Sequence, residues 1–199
     1  MPSVRLPYEF SAPVRTDRLV LRAMTSQDVD DIHAYQSRPD VCRYLMFEPR
    51  TREEVAEKVA KYSAALVLNG DGDFWQLAVE RASDRGRVIG DIYFAIKDAA
   101  NASAEIGWTL HPDYAGSGYM TEAASAMLSI AFNDLELHRV RAELDARNRG
   151  SAALCKRLGM RRRLSSERTC GSRASGATRR STRSSIANGP PRGPPDTRG

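Results

Sequence analysis

The chain has 199 residues, 30 of them lysine or arginine and 25 aspartate or glutamate, a length that suits one domain burying roughly 70% of its extended-chain surface. The charge is divided: residues 1–160 hold 20 basic and 23 acidic side chains and residues 161–199 hold 10 and 2, so a mildly acidic body carries a basic end and the body is not a nucleic-acid binder by charge. Cys42, Cys155 and Cys170 form no CxxC pair and leave one thiol over, which argues against a disulfide framework or zinc site and for a reducing, cytoplasmic setting; no signal-peptide core is seen, and nothing approaches the roughly 20 apolar residues of a membrane span.

Residues 1–16 are rich in proline and predict an extended lead-in. Leu19 to Arg22 make a short strand. Thr25 with Asp28 has capping-box spacing and opens a helix to about Gln36, which Pro39 ends. Thr51 and Glu54 repeat the device before a helix through Val55, Val59, Tyr62 and Leu66 that stops near Asn69-Gly70. Phe74 to Glu80 and Val88 to Ile96 form a strand pair across the polar turn Ser83 to Gly86. Ala104 to Leu110 alternates Ile106, Trp108 and Leu110 against Glu105, Gly107 and Thr109, as a half-buried strand does.

A glycine turn follows. Gly116 and Gly118 admit the backbone close to an anion, and the first amides of the helix beginning near Tyr119 have no intrahelical partners, so the junction is suited to phosphate. It has neither the Gly-Lys pair of a P-loop nor the third glycine of a dinucleotide fingerprint. That helix carries Met120, Ala124, Met127, Leu128, Ala131 and Leu135 at helical spacing. Val140, Ala142, Leu144 and Ala146 then alternate with charged residues. Ser151 to Leu158 forms a short helix stopped by Gly159. Asn148 and Ser151 mark this second strand-to-helix junction. Together the two junctions suit a ligand with a charged end and a polar stalk, as coenzyme A has.

With TDRLVLR at 16–22, EIGWTL at 105–110, YAGSGYMTEA at 114–123, HRVRAELDARN at 138–148 and SAALCKRLGM at 151–160, the chain resembles the GNAT acyltransferases, in particular their Rim-type branch that acetylates protein N-termini. The likeness covers residues 17–160. It implies an α/β (α+β) fold with a mixed, V-shaped sheet flanked by helices, and an acetyl-CoA slot where the strand ending at Leu110 splays from the next. By resemblance, the backbone amides of Gly116, Ser117, Gly118, Tyr119 and Met120 bind the pyrophosphate. Ala115 stands where the family usually has Gln or Arg, so one side-chain contribution is missing. Trp108, Thr109 and Leu110 pair with the pantetheine amides through backbone, Asn148 bonds the cofactor stalk and Ser151 lies near its sulfur.

The implied reaction is attack of an amine on the acetyl carbonyl, with Glu105 receiving the acceptor's proton and Ser151 protonating the departing thiolate. A free α-amine has a pKa near ~8, so roughly a tenth is neutral at pH 7, whereas lysine near ~10.4 is almost wholly charged. A weak base therefore suits an N-terminal amine, on a ribosomal or another protein, better than lysine. A small-molecule amine acceptor and a catalytically impaired acyl-CoA-binding or interaction module are the alternatives. Glu105 on a solvated strand face and Ser151 as a mere helix cap are the bland counterparts of those roles. His33, His111 and His138 lack ligand spacing, so no metal is expected. Tyr35 and Trp75 are candidates for the acceptor groove, with core packing favoured for the tryptophan, and Cys155 is expected to be buried filler.

After Met160 the composition breaks. Residues 161–199 contain no Phe, Tyr, Trp or Val, so they are expected to be a basic disordered tail, and the sheet is expected to lack its final strand hairpin. The family instead ends with aromatic-rich strands around a KGEW turn. If the codons for Thr169 to Arg179 are regrouped one nucleotide earlier, the genetic code permits VWVKGEWGDE, which points to a shifted reading frame. As a genuine extension, the tail would make salt-sensitive, unspecific nucleic-acid contacts through charge alone.

Overall fold

The computed structural model describes residues 4–84, 86–163 and 183–188. Three strands come first, β1 (Tyr8–Glu9), β2 (Val14–Arg15) and β3 (Leu19–Ala23). Helices α1 (Val29–Gln36), α2 (Pro39–Cys42) and α3 (Arg52–Ala64) follow, then β4 (Val67–Leu68), β5 (Phe74–Arg81), β6 (Val88–Asp98) and β7 (Ser103–Leu110). Next are α4 (Tyr119–Ser129), continued by a π-helical turn over Ile130–Asp134, β8 (Arg139–Asp145), α5 (Arg149–Arg157), β9 (Arg161–Arg163) and β10 (Arg183–Asn188).

Eight strands form one sheet in the order β2-β3-β5-β6-β7-β8-β10-β9, and β1 pairs with β4 apart from it. Every neighbouring pair in the large sheet is antiparallel except β7 and β8. Parallel neighbours need a crossover, and α4 supplies it. The parallel pairing lasts only from Ser103 and Arg139 to Glu105 and Arg141. Beyond that point the two strands part, and the backbone of β7 from Ile106 to Leu110 has β6 on one side and an open edge on the other.

Alternation along the strands separates two cores. Leu77, Val79, Ile92, Phe94, Ile96, Ala104 and Ile106 pack with α4 and α5 on one face. Ala78 and Val88 pack with Val29, Ile32 and Tyr35 of α1 and Val55 and Val59 of α3 on the other. Both capping boxes form, at Thr25 with Asp28 and at Thr51 with Glu54. The third helix is shorter than its periodicity predicts, ending at Ala64. Leu66 instead offers its carbonyl to the Phe10 N–H at 2.8 Å and to the Trp75 indole N–H at 2.9 Å. Long-range pairing of the chain's first strand outweighs the helical pattern here.

The expected absence of a final hairpin is corrected for the described residues. β10 lies antiparallel along β8, from Arg183 opposite Asp145 to Asn188 opposite Val140, and β9 pairs with β10. An open strand edge is a row of unsatisfied N–H and C=O groups, and pairing to it is a backbone transaction that RSSIAN can make without aromatic side chains. The expected disorder, shifted frame and nucleic-acid contact otherwise fall on residues 164–182 and 189–199, outside the described residues.

Candidate active site

At the end of β7 the chain turns through His111, whose Nδ1 accepts the Asp113 N–H at 3.2 Å, and a 3-10 turn over Pro112–Tyr114. Gly116 and Gly118 follow with φ of 83° and 81°, the left-handed region that glycine enters without strain. Gly118 is the N-cap of α4, and the Glu122 N–H closes on its carbonyl at 3.0 Å. The amides from Gly116 to Met120 therefore lie ahead of the helical ladder at its positive end, where anions are held. Arg18, just before β3, braces this turn. It donates to the Ser117 carbonyl at 3.0 Å, pairs with Glu122 at 2.7 Å and stacks on Tyr119 with 4.6 Å to the ring centroid. Burial alone pushes the Glu122 carboxyl up, but Thr16 and Arg18 outweigh it and hold it below the usual range.

A cavity of about 680 Å³ opens over this turn. It gathers Trp108, Thr109, Leu110, Ala115, Gly116, Ser117, Gly118, Tyr119, Met120, Asn148 and Ser151, all the side chains and backbone expected to hold the cofactor. Asn148 caps α5, its side-chain oxygen accepting the Ser151 N–H at 3.0 Å. The Trp108 indole N–H donates to Ser151 Oγ at 3.2 Å. Arg157, which sequence patterns did not single out, lines the same cavity and donates to Thr121 Oγ1 at 3.2 Å.

Glu105 is not in that group. It lines a second cavity of about 760 Å³, with Glu143, Asp145 and Arg147 and a roof drawn from residues 39–49. Glu105 sits at the fork itself, 3.3 Å from Lys97 Nζ and 4.0 Å from Arg141 Nε. Burial acts to lower Lys97, but Glu105 and Tyr93 prevail and its pKa lies above the ordinary lysine value. Asp145 is hydrogen-bonded by Arg147, which holds its carboxyl below the usual range against a smaller opposing effect of burial. By strand alternation Glu105 lies on the face of the sheet away from Ser151, at the point where β8 parts from β7. Tyr44 and Leu45 line both cavities. Arg43 and Arg147 flank the Tyr44 ring at 5.3 and 5.9 Å.

The roof is tied to the sheet through a buried carboxylate. Asp91 of β6 accepts from Tyr35 Oη, Gln36 Nε2 at 3.2 Å and Gln76 Nε2 at 2.6 Å. Gln36 in turn accepts Arg50 Nη1 on its side chain at 2.7 Å, and its carbonyl accepts the Arg50 N–H at 3.0 Å and the Cys42 thiol at 3.2 Å. Burial pushes the Asp91 carboxyl above the usual range, and its three donors pull back only in part. Tyr35 and Trp75 are both fully buried, so neither lines the acceptor groove, and each has its polar atom bonded as a buried aromatic requires. Cys155 is buried, its thiol pushed up to about 11 by desolvation. Among the described residues, no group of three or more His, Cys, Asp or Glu is placed to hold a metal ion, and no helix is long and apolar enough to cross a membrane.

Residues 18–161 match the family model of the acetyltransferase (GNAT) domain. The uncharacterized N-acetyltransferase p20 of Bacillus licheniformis is 30% identical over 147 residues, which are 74% of this chain and 81% of that protein. A GNAT-family acetyltransferase of Bacillus anthracis superposes with a TM-score of 0.71 at 25% identity, over 88% of this chain and 96% of the other. RimL, a ribosomal L7/L12 α-N-protein acetyltransferase solved in complex with coenzyme A, superposes with a TM-score of 0.69 at 15% identity, over 89% and 98%. The fold is shared with both solved structures, the family model covers more than half of the chain, and the chain belongs to the GNAT acetyltransferase family.

Proposed function

We propose that this chain moves an acetyl group from acetyl-CoA to the α-amine of a protein N-terminus. The observation that carries the proposal is the fork. On one side of it lies a cavity floored by helix-terminal amides, fit for a pyrophosphate, and on the other a cavity lined by Glu105, Glu143 and Asp145, fit for a cationic amine. In this arrangement the open edge of β7 offers backbone groups to the amides of the pantetheine arm, and the thioester lies at the fork. The amine nitrogen attacks the acetyl carbon and Glu105 takes the proton it sheds, directly or through water. The C–S bond breaks with its electron pair on sulfur, and Ser151 gives that sulfur a proton. The terminal-amine acceptor is supported by RimL, described as acting on a protein α-amine.

The test is release of free thiol from acetyl-CoA by the full chain with three acceptors: a lysine-free peptide with a free N-terminus, an N-blocked peptide containing lysine, and a small polyamine. Thiol release with the first alone supports the proposal. Release with only the polyamine replaces the acceptor class, and saturable acetyl-CoA binding without release from any acceptor makes the chain a binding module.

A further inference from the structure

The indole of Trp108 is a donor only, since its nitrogen carries a hydrogen and no available lone pair. Its bond to Ser151 Oγ at 3.2 Å joins β7 to α5 across 43 residues of sequence, and it forces the hydroxyl to act as acceptor on that side. The Ser151 backbone N–H is already given to Asn148. No acceptor among the described residues takes the Ser151 hydroxyl proton. Both side chains line the cavity of about 680 Å³, so the proton is left to the open side, where the cavity lies.

We infer that Trp108 is a positioning residue that sets the polarity of Ser151: its indole N–H keeps the hydroxyl oriented as a proton donor toward the thiolate that leaves during acetyl transfer. The inference rests on the proposed reaction. As sulfur takes the bonding pair of the C–S bond and the hydroxyl proton passes to it, negative charge grows on Oγ. A hydrogen bond to an ionised acceptor is roughly twice as strong as one between neutral groups, so the indole bond tightens as the proton departs. Ser151 recovers its proton from water once the thiol has formed. A tryptophan serving only to fill space would have no such dependence on the serine.

The experiment is a double-mutant cycle on the full chain, with steady-state thiol release and acetyl-CoA affinity measured for wild type, Trp108→Phe, Ser151→Ala and the double variant. Trp108→Phe keeps the ring and removes the N–H. The expected result is a kcat about tenfold lower in Trp108→Phe with the acetyl-CoA KM within about twofold of wild type, and no further loss when it is added to Ser151→Ala, the non-additivity of coupled groups. Trp108→Tyr is the second variant, usable if the phenylalanine variant does not fold. A phenol both donates and accepts, so it leaves the hydroxyl polarity undetermined, and an intermediate kcat is expected. Losses that multiply in the double variant, or an unchanged kcat in Trp108→Phe, overturn the inference while acetyl transfer stands. A wild-type chain that releases no thiol with any amine sinks the proposed reaction and this inference with it.

Discussion

Gly118 holds the left-handed conformation at the head of α4, and a Cβ there would meet Arg18 Nη2 at 3.6 Å, an ordinary contact. The cost of Gly118→Ala is therefore backbone strain of about 1 kcal/mol rather than a clash, together with a methyl group where a pyrophosphate would approach. Titration with acetyl-CoA is expected to show affinity falling about tenfold while kcat at saturation changes little. Glu105 tests the other cavity. Glu105→Gln is expected to lower kcat by about 10² at pH 6.5, within the range general-base groups supply. The deficit should shrink above about pH 8, where a free α-amine sheds its proton unaided; a pH-rate profile showing a constant deficit would remove Glu105 from the proton path. The placing of Glu105 on a strand and of Asn148 and Ser151 at the head of a short helix was legible from local pattern. Tyr44 and Arg157 were not, because nothing near them in sequence marks a tyrosine or arginine as facing a cavity, nor was the brace of Arg18 on a turn 99 residues away.

Among the elements, β6 and β7 leave no room for a side chain at Gly90, where an added Cβ would lie 2.4 Å from the Thr109 carbonyl oxygen and 3.1 Å from Met120 Cε. Backbone cannot yield cheaply, so Gly90→Ala is expected to cost about 3 kcal/mol, read as a lower midpoint in urea, and to weaken acetyl-CoA binding because the strand it displaces is the one that borders the cofactor cavity. The connection of α1 to the sheet makes a complementary case. Asp91→Ala would strand the donors of Tyr35, Gln36 and Gln76 in the core, at about 3 kcal/mol. Asp91→Asn is expected to cost only about 1 kcal/mol, since the Gln76 amide can rotate to offer its oxygen. Helix starts were legible because a capping box is written within four residues. The end of α3 was not, because Leu66 is claimed by Phe10 and Trp75 from outside the helix.

For the molecule as a whole, two buried carboxyls set opposing responses to acid. Burial pushes Asp28 up, but the Arg22 guanidinium and Thr25 N–H outweigh it, and its pKa in the folded state lies below the usual range. Its stabilisation is present above an ordinary aspartate pKa of about 3.9 and is lost as the pH falls through the folded value. Asp91 is shifted upward, so its contribution has the opposite sign, present at low pH and lost as the pH rises through its raised value. Thermal melts from about pH 2 to 7 are expected to fall less steeply on the acid side in Asp28→Asn and more steeply in Asp91→Asn. Sequencing the gene across the codons for Leu158 to Thr182 addresses the basic end: a neighbouring frame encoding VWVKGEWGDE is expected, and a gene with no such frame makes RSSIAN the native partner of β8.

Short-range pattern determined the helix starts and the glycine turn, because capping boxes and a Gly-x-Gly turn are complete within a few residues, and the mixed sheet came with the family resemblance that several such segments carry together. Tertiary structure alone decided where the expected splay begins, after Glu105, that Glu105 and Ser151 come from opposite faces, and that Tyr44 lines both of their cavities. The contacts responsible cross 56 residues from Tyr35 to Asp91 and 43 from Trp108 to Ser151. Such pairings depend on which strands become neighbours, a choice made by the burial of two faces at once and by the demand that every strand edge find a partner.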